Sequence, residues 1–265
     1  MPGDEPTIYR RPYYERWYLE EHGPYREGKL RREDMLTSIL VSCLPRGDVE
    51  ALREWTDLGS RFDLERLQDP RRLAEALAVP GVRPPRQVLD VGCGRGECLA
   101  AFNNLGVPVL SIDPSADAVA YARETLAAWT DHVGARPRVE RADLGTLRRD
   151  WLEEPADVVL FLESIEHVDR EVVRAWFARE VAERRSDLVS ADCRIVIGNI
   201  WFPVWSPPDH LWGVGRAPAS GDENRRIGRP YWWGEYDRLA TLGGLDILFR
   251  SPTNPTVVFE RRGTS

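Results

Sequence analysis

Residues 163–167 read Glu-Ser-Ile-Glu-His, and three of these five side chains can do chemistry. If the segment opens a helix, positions i, i+3 and i+4 share one face, so Glu163, Glu166 and His167 converge. Two carboxylates and an imidazole form an oxygen-rich donor set suited to Mg2+ or Mn2+. His210, in Pro-Pro-Asp-His-Leu-Trp, follows the apolar run ending near Asn199 and can reach the same sheet edge. A second chemical segment is Asp90-Val91-Gly92-Cys93-Gly94-Arg95-Gly96, between an apolar run and the start of a helix. Glycines there let the backbone turn tightly and approach a ligand closely. Asp113 closes the next apolar run, where a carboxylate can accept hydrogen bonds from ribose hydroxyls.

These residues need a scaffold, and the hydrophobic pattern supplies one. Residues from Gln87, in QVLDV, make a short apolar strand, as do VPVLSIDPS, ADVVLFLESIEHV and CRIVIGNI. ADAVAYARETLAAW and REVVRAWFAREVAERR read as helices between them, and LDILFRS and TVVFERR as two late strands. Strands alternating with helices imply a parallel, doubly wound α/β sheet with helices on both faces. Ligands of such sheets bind at the carboxyl ends of the strands. Residues 1 to 84 carry helical patterns, including Glu33–Cys43 and Pro70–Ala78, and are expected to form a helical extension or lid on a domain spanning 85–265. The Gly/Pro-rich stretch of about 200–230 is long for a loop, which favours a functional insertion.

The chain of 265 residues, 42% hydrophobic and 30% charged, suffices for one α/β core and an appendage. Its net charge of −7 argues against a surface built to grip phosphate backbones. No apolar run approaches a membrane span, and the N-terminus lacks a signal-peptide pattern. Cys43, Cys93, Cys98 and Cys193 form no CxxC pair, so neither structural zinc nor a disulfide framework is expected. A cytoplasmic protein without membrane contact follows as the expectation. Five of the ten tryptophans, Trp201, Trp205, Trp212, Trp232 and Trp233, crowd into the last quarter. They suit either core packing or an aromatic-walled pocket.

The order Asp90-x-Gly92-Cys93-Gly94-x-Gly96, then Asp113, then Ala142-Asp143-Leu144 resembles the class I S-adenosylmethionine (SAM)-dependent methyltransferases, over about residues 85–262. That resemblance implies a seven-stranded Rossmann-like sheet and SAM as cofactor. It assigns Asp90, Gly92, Gly94 and Gly96 to the methionine moiety, Asp113 to the ribose, and Asp143 with Leu144 to the adenine edge. The competing reading is a nicotinamide-dinucleotide fold, whose loop cradles a pyrophosphate on a helix N-terminus. Asp90 and Glu97, flanking the glycines, disfavour that anion and suit a sulfonium cation bearing an amino group.

The E-x-x-E-H segment followed by a later histidine resembles the small-RNA 3′-terminal 2′-O-methyltransferases. By that resemblance Glu163, Glu166, His167 and His210 hold a Mg2+ or Mn2+ that chelates vicinal hydroxyls. E-x-x-E-H alone also resembles the ubiquinone-pathway O-methyltransferases, which methylate catechol-type hydroxyls, and many class I methyltransferases use a Glu-His pair here as pocket structure or general base. The insertion GVGRAPASGDENRRIGRP departs from the small-RNA pattern, and no RNA-binding module is recognisable. A hydroxyl must lose its proton during attack, so His167, His210 and Glu166 are the expected catalytic residues. The tryptophans around His210 favour a sugar hydroxyl on an oligosaccharide, glycoside or other small molecule, with an RNA 3′ end second. Tyr13, Tyr14, Trp17 and Tyr18 are candidates for a lid. Arg216, Arg225, Arg226 and Arg229 read as a solvated loop, His22 and His132 as surface residues, and a homodimer fits the sequence.

Overall fold

The structure, a computed structural model, describes residues 38–53, 71, 82–129, 137–162, 164–183, 186–198, 231, 233–250 and 256–261. Its elements run β1 (Val88–Val91), α1 (Glu97–Asn104), β2 (Val109–Asp113), α2 (Ala116–Trp129), β3 (Arg138–Arg141), β4 (Ala156–Leu162), α3 (Arg170–Trp176), β5 (Val189–Gly198), α4 (Trp233–Gly243), β6 (Leu245–Arg250) and β7 (Val257–Arg261). A 3-10 turn, Ile165–His167, separates β4 from α3, and α3 runs on into a π-helical turn, Phe177–Val181.

The strands form one seven-stranded sheet in the order β3-β2-β1-β4-β5-β7-β6. β1 to β5 are parallel, as the alternating pattern predicts. β7 is antiparallel to both β5 and β6, so the sheet is mixed rather than wholly parallel. The physical reason is the short chain between the two late strands: without a crossover helix, successive strands can pair only as a hairpin.

The central strands read as continuous apolar runs because both of their faces are covered. All of β1 and β2, and nearly all of β4, are buried. Alternate residues feed two cores. Val88, Val109, Val158 and Val196 pack with Leu99 and Phe102 of α1, Val119 and Ala122 of α2, and Ile39, Leu40 and Leu52 of the N-terminal part. Leu89, Leu110, Val159 and Ile195 face the other way, onto Val173 and Trp176 of α3 and Tyr236 and Leu239 of α4. Helices therefore cover both faces.

Residues 38–53 belong to the first core and are fastened to the sheet through a buried charge. Arg194 of β5, 0% exposed, pairs with Glu260 of β7. Its remaining donors reach the carbonyls of Val41, Leu44 and Pro45, while Glu260 accepts from the Gly47 amide at 2.8 Å. A guanidinium so deep in the protein requires this full set of partners. Apart from Arg71, the predicted helix Pro70–Ala78 lies outside the described residues, as do the lid candidates Tyr13–Tyr18 and the predicted insertion of about 200–230.

The topology fixes where a ligand belongs. From β1 the chain winds outward to β2 and β3, then returns to place β4 on the other side of β1. The carboxyl ends of β1 and β4 flank this switch point, where open α/β sheets bind ligands. The glycine loop follows β1, and the Glu166–His167 turn follows β4.

Candidate active site

The loop after β1 is built for close backbone approach. Gly92 and Gly96 both have φ +80, a conformation side chains rarely adopt. A Cβ on Gly96 would also lie 2.6 Å from the Ala122 Cα, so glycine lets α1 start directly against α2. The Gly92 amide donates to the Ile112 carbonyl at 2.8 Å, tying the loop to the end of β2. Asp113, buried at that end, accepts from the Gly94 amide at 3.2 Å and the Ser115 amide at 2.8 Å. A Cβ at Gly94 would meet nothing within 4 Å, so the loop's crest faces open space.

Three acids crowd this loop. Asp90, 2% exposed, accepts from the Ser111 hydroxyl at 2.8 Å, as the Asp90–Ser111 register of β1 and β2 dictates. Burial pushes its carboxyl up to about 7; the Ser111 hydrogen bond opposes this, and the charges of Asp113 and Glu97 add to it. Glu97 is buried beside them, with Arg95 at 3.4 Å. Burial and the same three acids hold the Cys93 thiol protonated, its pKa far above the ordinary value. A cation placed here would relieve the repulsion, whereas an anion would worsen it.

The predicted adenine-edge residues sit beside this group. The Ala142 amide donates to the Asp113 carbonyl at 3.1 Å. Asp143 folds back on its own turn, its Oδ1 accepting from the Gly145 amide at 2.8 Å and the Thr146 amide and hydroxyl at 2.9 Å. The Leu144 side chain is buried in the second core.

At the end of β4 the expected helical face gives way to something tighter. Ile165–His167 is a 3-10 turn, and α3 starts only at Arg170, behind an Asp169 cap that accepts from the Glu171 amide at 2.8 Å. The α-helical spacing argument for Glu163, Glu166 and His167 therefore does not apply, because a 3-10 turn has three residues per turn. Glu166 and His167 are nevertheless neighbours, with Oε1 3.9 Å from Nε2. Glu163 and His210 lie outside the described residues, as do Trp201, Trp205, Trp212, Trp232, Arg216, Arg225, Arg226, Arg229, His22 and His132. Among the described residues no group of three or more His, Cys, Asp or Glu is arranged to hold a metal ion.

Around Glu166 the structure gathers residues that the motif does not contain. Tyr231 and Tyr236 stack with ring centroids 5.6 Å apart, and Trp233 lies 6.1 Å from Tyr236. Arg170 sits over the Tyr231 ring at 5.0 Å and pairs with Glu235 at 2.5 Å, joining the starts of α3 and α4. Among the described residues neither tyrosine hydroxyl has a hydrogen-bond partner, although both are buried. Burial raises both phenol pKa values, and the Glu166 charge adds to each. Ser111 is legible in retrospect as a polar residue inside the apolar run of β2, two positions before Asp113. Ser164, which ties its turn to β1, was hidden between the glutamates of its own motif. Arg170, Tyr231, Glu235 and Tyr236 carry no local signal, since only the fold brings them to Glu166.

A family model described as a methyltransferase domain matches residues 89–183, from β1 through the end of the π-helical turn. No curated protein sequence matches the chain. Among solved structures, a magnesium protoporphyrin IX methyltransferase from Synechocystis with bound SAM is 16% identical, with 82% of this chain and 86% of that one covered and a TM-score of 0.48. A cyclopropane synthase from Mycobacterium tuberculosis is 17% identical, covering 88% and 79%, with a TM-score of 0.47. An N-methyltransferase from Bradyrhizobium japonicum is 14% identical, covering 75% and 96%, with a TM-score of 0.43. With TM-scores below 0.5, these likenesses carry no inference about chemistry. The part of the chain that matches the methyltransferase-domain model, residues 89–183, supplies β1 to β4 and α3 of a seven-stranded Rossmann-like sheet.

Proposed function

We propose that this protein is a SAM-dependent O-methyltransferase whose acceptor is a hydroxyl of a sugar-like ring. The observation that carries the cofactor assignment is the group of Asp90, Glu97 and Asp113 around an open glycine loop in a methyltransferase domain. The cofactor is a cation at sulfur and at its amino group, and these acids favour it over a dinucleotide's pyrophosphate. Asp113 is the ribose acceptor, and the Ala142–Leu144 turn beside it borders the base.

The acceptor side rests on Glu166 and His167 at the end of β4. His167 takes the hydroxyl proton during attack, and Glu166 beside it favours the imidazolium that results. The oxygen would attack the methyl carbon in line as the sulfur–methyl bond breaks and the thioether product leaves, and alignment of the two partners would supply much of the rate. Trp233, half-buried beside the buried Tyr236, is the aromatic side chain on this side suited to the apolar face of a sugar. Glu166 would also serve in a ligand set for Mg2+ or Mn2+ with the proposed Glu163 and His210, joined by His167 where that ring is ligand rather than base. When bound, such an ion would lower the hydroxyl pKa by Lewis-acid polarisation. An RNA 3′ end is the second reading, favoured by the E-x-x-E-H spacing and opposed by the net charge of −7.

The test is methyl transfer from labelled SAM to a panel of oligosaccharides, catechols and short RNAs, with RNA 3′ ends intact or periodate-oxidised. Label on a saccharide hydroxyl, lost on EDTA treatment, is the expected result. Label only on RNA with an intact 3′ diol would replace the sugar with RNA, and transfer untouched by EDTA would remove the metal.

A further inference from the structure

The cofactor loop and the Glu166–His167 turn meet at one residue that neither motif singles out. Ser164, 5% exposed, donates its hydroxyl to the carbonyl of Val91, the last residue of β1, at 2.5 Å. Its own carbonyl accepts from the His167 amide at 3.0 Å, closing the turn that carries the pair. On the loop side it packs against Gly92. A Cβ on Gly92 would lie 2.4 Å from the Ser164 Cβ and 3.1 Å from its hydroxyl, and its three nearest atoms would all be Ser164's. The β1–β4 pairing ends at Asp90–Leu160, and the Ser164–Val91 bond continues the connection beyond it.

We propose that Ser164 is a positioning residue that pins the Glu166–His167 turn to the cofactor loop through Val91 and Gly92, so that cofactor binding and the placement of the acceptor-side pair are coupled. The proposal deepens the SAM reading above and rests on it. Serine suits the position because it supplies a short donor to a buried carbonyl, while its Cβ already fills the space beside Gly92. A glycine at 92 is required by this contact as well as by its backbone conformation. Loop and turn thus behave as one packed unit, and a change in either is felt by the other.

A double-mutant cycle tests this on the full chain without an acceptor. G92A drives a new Cβ into Ser164 and should weaken binding of S-adenosylhomocysteine (SAH), measured by calorimetry, by about 30-fold or more, with a lowered Tm. Adding S164G removes the obstructing atoms and should recover about tenfold of that affinity and part of the Tm, leaving the penalty of the left-handed backbone. S164A, which keeps the packing and drops only the hydroxyl, is the variant that keeps the test informative if G92A fails to fold. In the native protein SAH should move the His167 ring resonances, identified by their loss in H167N. In S164A at saturating SAH that shift should shrink to less than half. Additive effects in the cycle, or an unchanged His167 shift in S164A, would overturn the proposal. Native protein that binds no SAH would instead overturn the cofactor reading on which it rests.

Discussion

The two halves of the site are assembled differently. The proposed cofactor half runs from Asp90 to Ser115, and that stretch itself supplies donors to its acids. Asp113 is held by the Gly94 and Ser115 amides, and Asp90 by Ser111. Its charge at the loop is dominated by one sign. The acceptor half draws Glu166, Arg170, Tyr231, Glu235 and Tyr236 from β4 to α4, mixes both signs, and buries two tyrosine hydroxyls without partners among the described residues. One half is a glycine loop whose crowded acids a cation would relieve. The other joins buried aromatic rings to charges of both signs.

The largest effect expected from this contrast is at Asp113. Asp113→Ala removes both the ribose acceptor and the anchor of the Gly94 amide, so SAH affinity should fall by about 100-fold or more, as losing charge-assisted bonds does. Glu166→Gln should leave that affinity within about threefold. Comparable losses in the two variants would erase the distinction between the halves. Next in size, His167→Ala should slow methyl transfer to the acceptor found in the panel by about 10²–10⁴-fold, the usual worth of a general base, with SAH affinity retained.

A smaller and more diagnostic effect concerns pH. Burial, with Asp113 and Glu97 nearby and only the Ser111 bond opposing, raises Asp90 from the ordinary 3.8 to about 7. A carboxyl raised in the folded state stabilises the fold below its unfolded value and loses that contribution as pH climbs through its folded value. The Tm of the ligand-free protein should therefore carry a component that falls between about pH 4 and 7, and Asp90→Asn should remove it. The sulfonium favours the ionised carboxylate, so SAM affinity should rise across the same window more steeply than that of uncharged-sulfur SAH. Parallel pH profiles for the two ligands would place Asp90 out of electrical contact with the methyl donor. Smallest of all, Tyr236→Phe should leave the Tm unchanged or slightly raised, because among the described residues the hydroxyl it removes has no partner to lose. A clear drop in Tm would reveal a bonded hydroxyl.

The same contrast explains how much could be read from the amino acids. Helix α2 matches the predicted ADAVAYARETLAAW, because its apolar spacing and the flanking turns are local. The glycine loop and Asp113 were legible because a strand, a turn and a strand-end acid follow one another within one βαβ unit. The Glu-Ser-Ile-Glu-His spacing suits an α-helical face, whereas Ile165–His167 folds as a 3-10 turn. Asp169, the cap of α3, is the residue that defers the helix to Arg170. Ser164 tying β4 to β1, Arg170 reaching Glu235 and Tyr236 beside Glu166 are contacts between distant parts of the chain. No window on the sequence contains them. The antiparallel pairing of β7 with β6 follows from the few residues between them, but the place of β7 between β5 and β6 is set by contacts distant in the chain.

The central claim is that the acid-lined loop after β1 receives a cationic methyl donor. Calorimetric titration of the native protein at neutral pH with SAM, SAH and NAD+ tests it most directly. Saturable binding of SAM and SAH at a shared site, lost in Asp113→Ala, with no heat from NAD+, is the predicted result. Binding of NAD+ in place of SAM, or no heat from SAM, would contradict it.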